Sequence, residues 1–267
     1  MYWYNGELIE SEIIQLPINE PGLLFGATIF TTLRVYHNSL KSRLTHWEAH
    51  QKRLLDSVHK LDFEQPNWQN IHTGASILIN HYPILRITLF PDGKEWITGR
   101  LIPDDLTEKQ KYGVNVTIAK TEQYRSLPFH KTGNYLAAWL AKNQAVKQNS
   151  QENIQEAILT DAAGNWLETT TGNLWGWHNE CWFTPPLSVG ILPGIMREQL
   201  INWLRTEQYQ VKEEPFTPEL VQKFVAIAYS NCVVEILPIH QVIHPTGKLQ
   251  YDNQHYCFKE LQRYLLA

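Results

Sequence analysis

"EAILTDAAGNWLETTTGNLWGW", residues 156–177, is the stretch on which the architecture turns. Apolar and β-branched residues flank Asp161-Ala162-Ala163-Gly164-Asn165, a cluster of turn formers, so the spacing predicts two strands joined by that turn. The second arm carries Glu168 between apolar neighbours. A carboxylate buried there is costly unless a cationic nitrogen meets it, whereas on an edge strand it would simply face water.

Outward from this stretch the chain alternates between the two periodicities. Before it come "VNVTIAKTE" (114–122), a strand, and "PFHKTGNYLAAWLAKNQA" (128–145), where Leu136, Leu140 and Val146 suit a helix that buries one face. After it, "ILPG" turns into the helical "GIMREQLINWLRTE" (194–207). "FVAIAYSNCVVEILPIHQV" (224–242) reads as strand, polar interruption, strand, and "QHYCFKELQRYLLA" (254–267) as a closing helix. Toward the N-terminus, Asn5-Gly6 signals a tight hairpin, and "GATIFTTLRVYHNSLKSRL" (26–44) reads as a second one turning at His37-Asn38-Ser39. In "THWEAHQKRLLDSVHKLDF" (45–63), Thr45 and Glu48 form a capping-box pattern ahead of an apolar face of Trp47, Leu54, Leu55, Val58 and Leu61. "ILRITLF" (84–90) is a strand ending at Pro91-Asp92-Gly93, and the charged "IPDDLTEKQKYG" (102–113) reads as an edge or linker. Few helices among many strands give an α/β (mixed α+β) protein in two lobes, residues 1–110 and 111–267.

Composition excludes several classes. The 267 residues suffice for a substantial core, and 43% hydrophobic with 19% charged content is that of a globular chain. A net charge of −4 with interspersed signs gives no reason to expect nucleic acid or an anionic membrane as partner. Apolar runs are too short to span a bilayer, and the N-terminus lacks a signal-peptide pattern. Three widely spaced cysteines predict reduced thiols and a cytoplasmic setting, and neither they nor the eleven histidines form a metal-ligand pattern.

The chemistry rests on residue types that are individually ordinary. Lys131 could be a solvated lysine at a helix start, Arg53 a solvated helix arginine, and Thr31 and Thr32 strand threonines chosen for β propensity. Gly194, Ile195 and Met196 open a helix whose first amides and dipole attract phosphate. Together, a nucleophilic lysine, a carboxylate, an arginine and a helix N-terminus are the groups that pyridoxal 5′-phosphate requires.

"YNGELI", "FGATIFTTLRV", "HWEAHQKRL", "KTGNYL", "DAAGNWLETTTGNLW", "TPPLSVGILPGIMR" and "VVEILPI" resemble the class IV aminotransferases, the fold-type IV pyridoxal-phosphate enzymes, over residues 4–240. The resemblance implies a small N-terminal α+β domain, a larger C-terminal domain with a barrel-like sheet, the cofactor between them, and a homodimer. It matches Lys131 to the Schiff-base lysine, Glu168 to the carboxylate at the pyridine nitrogen, and Arg53, in the pattern His50-x-x-Arg53, to the phosphate arginine. Ile195 and Met196 match the pair whose amides bind phosphate, Met196 standing where many relatives have threonine. Asn231 and Cys232 occupy the turn that often reads "G-T-A", and Tyr135 matches a tyrosine near the cofactor's phenolic oxygen. Within the family, "FTTLRV" and "KTGN" are similar to the 4-amino-4-deoxychorismate lyases rather than to branched-chain enzymes. That implies cleavage of 4-amino-4-deoxychorismate to 4-aminobenzoate and pyruvate, a step toward folate. Thr32 would then serve as a catalytic residue, and Arg86 and Arg100 as carboxylate binders, in place of a Gly- and Arg-rich loop that this chain lacks. The alternatives are a branched-chain or D-amino-acid aminotransferase and, further off, an inactive cofactor-binding or interaction protein.

Overall fold

A computed structural model describes residues 1–120, 125–148, 152–244 and 247–266. The expected strand 114–122 and closing helix 254–267 therefore each run partly outside the described residues. The chain divides into two compact units, Met1–Pro103 with His130–Tyr135, and Asp104–Phe129 with Leu136–Ala267. Where the sequence suggests one cut after residue 110, the lysine-bearing hexapeptide thus groups with the N-terminal unit.

In the first unit, β1 (Tyr2–Tyr4) and β2 (Glu7–Ile9) make the expected hairpin, with Asn5 and Gly6 both at positive φ. A short helix α1 (Pro21–Leu24) leads to β3 (Ile29–Arg34), α2 (Trp47–Lys60), α3 (Trp68–Leu78), β4 (Ile84–Leu89) and β5 (Glu95–Arg100). The antiparallel sheet has the order β2-β1-β5-β4-β3. Its inward face, including Leu33, Leu85, Ile87 and Ile97, packs with Leu54 and Val58 of α2 and Ile71 and Leu78 of α3.

Two expectations fail here for one reason. Residues 26–44 do not form a hairpin: β3 pairs instead with β4, and the return arm is a lone Tyr36–Ser39 bridge followed by a 3₁₀ turn, Arg43–Thr45. The Thr45 hydroxyl accepts from the Tyr36 amide at 3.1 Å and donates to the Ser39 carbonyl at 2.9 Å. That hydroxyl is therefore not the cap of α2. The N-cap is His46, left-handed at φ 54°, with no side-chain cap bond.

In the second unit, 106–112 is a helix, α4 (Leu106–Tyr112), rather than a linker. It is followed by β6 (Val114–Ile118), α5 (Leu136–Gln148), β7 (Ile154–Thr160), β8 (Trp166–Thr169), β9 (Asn173–His178) and β10 (Cys181–Thr184). Then come α6 (Ile195–Thr206), β11 (Gln210–Glu213), α7 (Pro218–Val221), β12 (Ala226–Asn231), β13 (Glu235–His244), β14 (Gly247–Gln250) and α8 (Cys257–Leu266). Residues 156–177 thus hold three strands, because Thr170-Thr171-Gly172 makes a second reversal. The Thr169 amide donates to the Gly172 carbonyl, and the Gly172 amide to the Thr169 hydroxyl, at 2.8 and 2.9 Å. The pairing β9-β12-β13-β6-β7-β8 returns to β9 and closes a six-stranded barrel, β6 lying parallel to both neighbours. Helix α5 forms as its pattern predicts but buries a different face. Ala138, Ala141 and Ala145 are covered, while Leu136 and Trp139 are 62% and 59% exposed.

Candidate active site

In the first unit, Lys131 is held by its backbone against the start of β3. The Phe30 amide donates to the Lys131 carbonyl at 2.8 Å, Thr132 bridges Ile29, and the Gly133 amide donates to the Thr28 carbonyl at 2.7 Å. Gly133 is required there, since a Cβ would stand 2.1 Å from the Thr28 hydroxyl. The Lys131 amine lies 4.8 Å from the centre of the Phe30 ring and 5.4 Å from that of Tyr135. The two rings meet edge to face at 5.9 Å.

Strand β3 sends alternate side chains to opposite faces. Thr31, fully buried, turns toward α2, where its hydroxyl takes a hydrogen bond from Arg53 Nη2 and meets His50 Nδ1 at 2.6 Å. Burial, and then the positive charges of Arg53, His46 and Lys131, hold the His50 pKa well below its ordinary value. His50 is therefore neutral. Thr31 thus links the Arg53 guanidinium to the imidazole, the direction of its bond to Nδ1 following the tautomer of His50. The other ring nitrogen, Nε2, is buried and has no hydrogen-bond partner among the described residues.

Thr32 turns to the other face, directly opposite Arg86 on β4, which in turn stands opposite Thr98 on β5. The Arg86 guanidinium lies 3.6 Å from the Phe30 ring centre, and its Nε donates to Thr88 at 3.3 Å. Although the residue is exposed as a whole, the crowding of its charged end lowers its pKa, and the charge of Arg100 acts in the same direction. Arg100 occupies the same face two residues beyond Thr98 and is exposed.

In the second unit, Glu168 is 3% exposed and has the cationic partner that its burial demands. Arg125, itself 11% exposed, donates from Nε to Glu168 Oε1 at 2.8 Å. The Leu192 amide donates to Oε2 at 3.3 Å. Arg125 is the partner of Glu168 that the sequence reading misses. It sits in a loop with no periodicity, and nothing local pairs it with a residue 43 positions away. Helix α6 opens at Gly194 with no side-chain cap bond, and Ile195 and Met196 are buried. A Cβ on Gly194 would come within 2.0 Å of Asn173 Oδ1, so only glycine fits. Asn231 uses its whole amide in its own neighbourhood. Its Nδ2 donates to the Thr171 carbonyl at 3.2 Å, and its Oδ1 accepts from the Val233 and Val234 amides at 2.8 and 2.9 Å. Cys232 follows, half-buried.

The family profile for class IV amino-transferases matches residues 28–242. The chain belongs to the class IV aminotransferases. An aminodeoxychorismate lyase of Vibrio harveyi is 23% identical, over 94% of this chain and 94% of its own. A D-alanine aminotransferase of Staphylococcus epidermidis is 27% identical, over 89% and 87%. The crystal structure of 4-amino-4-deoxychorismate lyase from Pseudomonas aeruginosa superimposes with a TM-score of 0.81 at 17% identity, covering 99% of this chain and 98% of that one, a likeness of fold.

Class IV aminotransferases work with pyridoxal 5′-phosphate, and this chain is a pyridoxal-phosphate-dependent lyase or aminotransferase. Its residues fit the group. Each unit offers donors suited to an anion: the Arg53 guanidinium in one, and the uncapped start of α6 behind a glycine cradle in the other. Glu168, held as an ion-paired carboxylate, suits a protonated ring nitrogen. No group of histidine, cysteine or acidic residues among the described residues could hold a metal ion. No described helix is long and apolar enough to cross a membrane.

Proposed function

We propose that the protein cleaves 4-amino-4-deoxychorismate to 4-aminobenzoate and pyruvate, supplying an aromatic precursor of folate in the cytoplasm. The observation that carries this reading is the cross-strand pair Thr32–Arg86, on the same sheet face as Phe30. Both Arg86 and the Lys131 amine lie against that one ring. A hydroxyl and a cation beside an amine suit a substrate that must anchor a carboxylate, lose a proton and release an enolpyruvyl oxygen.

In this reading Arg53 and the amides of Ile195 and Met196 hold phosphate, and Glu168 keeps the pyridine nitrogen protonated. When bound, pyridoxal phosphate supplies an electron sink for the pair left by a broken carbon–hydrogen bond. The Lys131 amine takes the proton from the amine-bearing carbon. The carbon–oxygen bond at the neighbouring carbon then breaks, and aromatisation of the ring drives the step. The Thr32 hydroxyl orients the proton delivered to the leaving enolpyruvate. Arg86 binds a substrate carboxylate, with Arg100 as the second candidate. Tyr135, whose ring lies beside the Lys131 amine, would flank the cofactor's phenolic oxygen. Asn231 and Cys232 shape the phosphate turn by their backbone, since the Asn231 side chain is already engaged. Cys181 and Cys257 are free thiols, as a reducing compartment would keep them. A homodimer would cover apolar surface such as Ile18, Phe25 and Trp139, which stand exposed.

Purified protein given aminated chorismate should generate 4-aminobenzoate fluorescence. Keto-acid-dependent transamination of leucine or D-alanine without any 4-aminobenzoate would overturn the lyase reading. It would establish the second reading, an amino-acid aminotransferase, which the likeness to the D-alanine enzyme favours.

A further inference from the structure

Glu156 on β7 is a second buried carboxylate in the barrel unit, fully covered and given no part in the chemistry above. Burying a charge demands donors, and here four converge on its two oxygens. Oε1 accepts from the Thr170 hydroxyl and, at 3.0 Å, from the Ala157 amide. Oε2 accepts from the Thr171 hydroxyl at 2.6 Å and lies 3.4 Å from Lys142 Nζ.

The two threonines form the turn between β8 and β9, and that turn touches every segment of this unit to which cofactor contacts are assigned. Glu168 precedes it. Asn173 follows it and donates from Nδ2 to the Leu192 carbonyl at 2.9 Å, and the Leu192 amide in turn donates to Glu168. Asn173 Oδ1 also forms the wall against which Gly194 opens α6. On its other side the Thr171 carbonyl accepts from Asn231, whose amide organises the 231–234 turn. Gly172 lies so close to the Ser230 carbonyl that a Cβ would come within 2.5 Å, leaving the turn no room to drift.

We propose that Glu156 is a positioning residue for phosphate binding. Through Thr170 and Thr171 it fixes the 170–173 turn, which sets the start of α6 and the 231–234 turn in register. It touches neither substrate nor cofactor. The inference rests on assigning the phosphate to Ile195 and Met196. An ionised carboxylate offers only acceptors, whereas the isosteric amide must place an NH₂ group against one of the donors. Glu156→Gln therefore changes the turn's hydrogen bonding without changing its volume.

The test titrates full-length protein, freed of cofactor, with pyridoxal 5′-phosphate and with pyridoxal, following visible absorbance. The two ligands differ in the phosphate, and because pyridoxal also closes on itself as a hemiacetal, each ligand is compared between variant and wild type. Glu156→Gln should weaken pyridoxal 5′-phosphate by about tenfold, equivalent to ~1.4 kcal/mol, and leave pyridoxal within about twofold. Thr171→Val, which removes one donor at the same carboxylate, should shift the ratio in the same direction, and Thr171→Ser should restore it. These variants carry the test if Glu156→Gln fails to fold. A general structural role would weaken both ligands in parallel. Parallel loss, or an unchanged ratio in a wild type that prefers the phosphorylated ligand, overturns the positioning role alone. Equal affinity of the wild type for both ligands overturns the phosphate assignment beneath it.

Discussion

Arg125→Met strands Glu168. The wild-type pair is close, 2.8 Å, and both members are largely removed from water, at 11% and 3% exposure. Among the described residues the Glu168 carboxylate otherwise accepts only the long 3.3 Å bond from the Leu192 amide, which compensates little. Removing one partner of a buried pair costs about 3–5 kcal/mol, and the residual exposure of Arg125 puts this case near the lower end, about 3 kcal/mol. For a chain of this size that corresponds to a fall in melting temperature of roughly 6–12 °C. Melting should be followed by circular dichroism on cofactor-free protein, because bound ligand would add its own stabilisation. Adding Glu168→Gln removes the stranded charge, so the double variant should recover about 2 kcal/mol relative to the sum of the single changes. A single variant that melts within about 1 °C of wild type, or a double variant additive within about 0.5 kcal/mol, would refute the claim that Glu168 depends on this cation.

Two further outcomes follow from the geometry. Burial, then the charge of Arg43, pushes the His46 pKa down to about 4, and burial with neighbouring cations holds His50 well below its ordinary value. Between about pH 4 and 6.5 the unfolded chain binds protons that the folded chain refuses, so stability is fully present above 6.5 and is lost as pH falls. The melting temperature should drop through that window. His46→Asn, which tolerates the left-handed backbone at that position, should flatten the slope, and an unchanged slope would count against the assignment. Gly194→Ala drives a Cβ to 2.0 Å from Asn173 Oδ1 and should cost about 1–3 kcal/mol in melting experiments, with weaker binding of inorganic phosphate. Wild-type melting would mean that the cradle is slack.

Much of this molecule is legible in order of sequence distance. The Asn5-Gly6 hairpin and the turn at 161–165 follow from local backbone preferences and hold as read. Helices α2, α5, α6 and α8 follow from periodicity, yet periodicity misassigns the covered face of α5. Alanine is what fits against β6 and β7, so the large residues Leu136 and Trp139 are left outside. The capping box at Thr45 and Glu48 fails because a hydroxyl can satisfy only a few partners, and a turn earlier in the chain claims it.

The sequence by itself determined the alternation of elements, the local turns and the kinds of side chain available: one lysine in a loop, one glutamate amid apolar residues, one glycine before a helix. It also set the condition that Glu168, once buried, must meet a cation, because burial of a bare charge is prohibitive. Only the tertiary structure decided which cation answers, that Thr31 links His50 to Arg53, and that Glu156 lies beneath the turn joining Glu168 to Asn173. It also decided that β8 meets β9 to close the barrel. The reason is physical: pairings between distant residues are selected by the packing and hydrogen-bond saturation of the whole chain, and no local propensity encodes them.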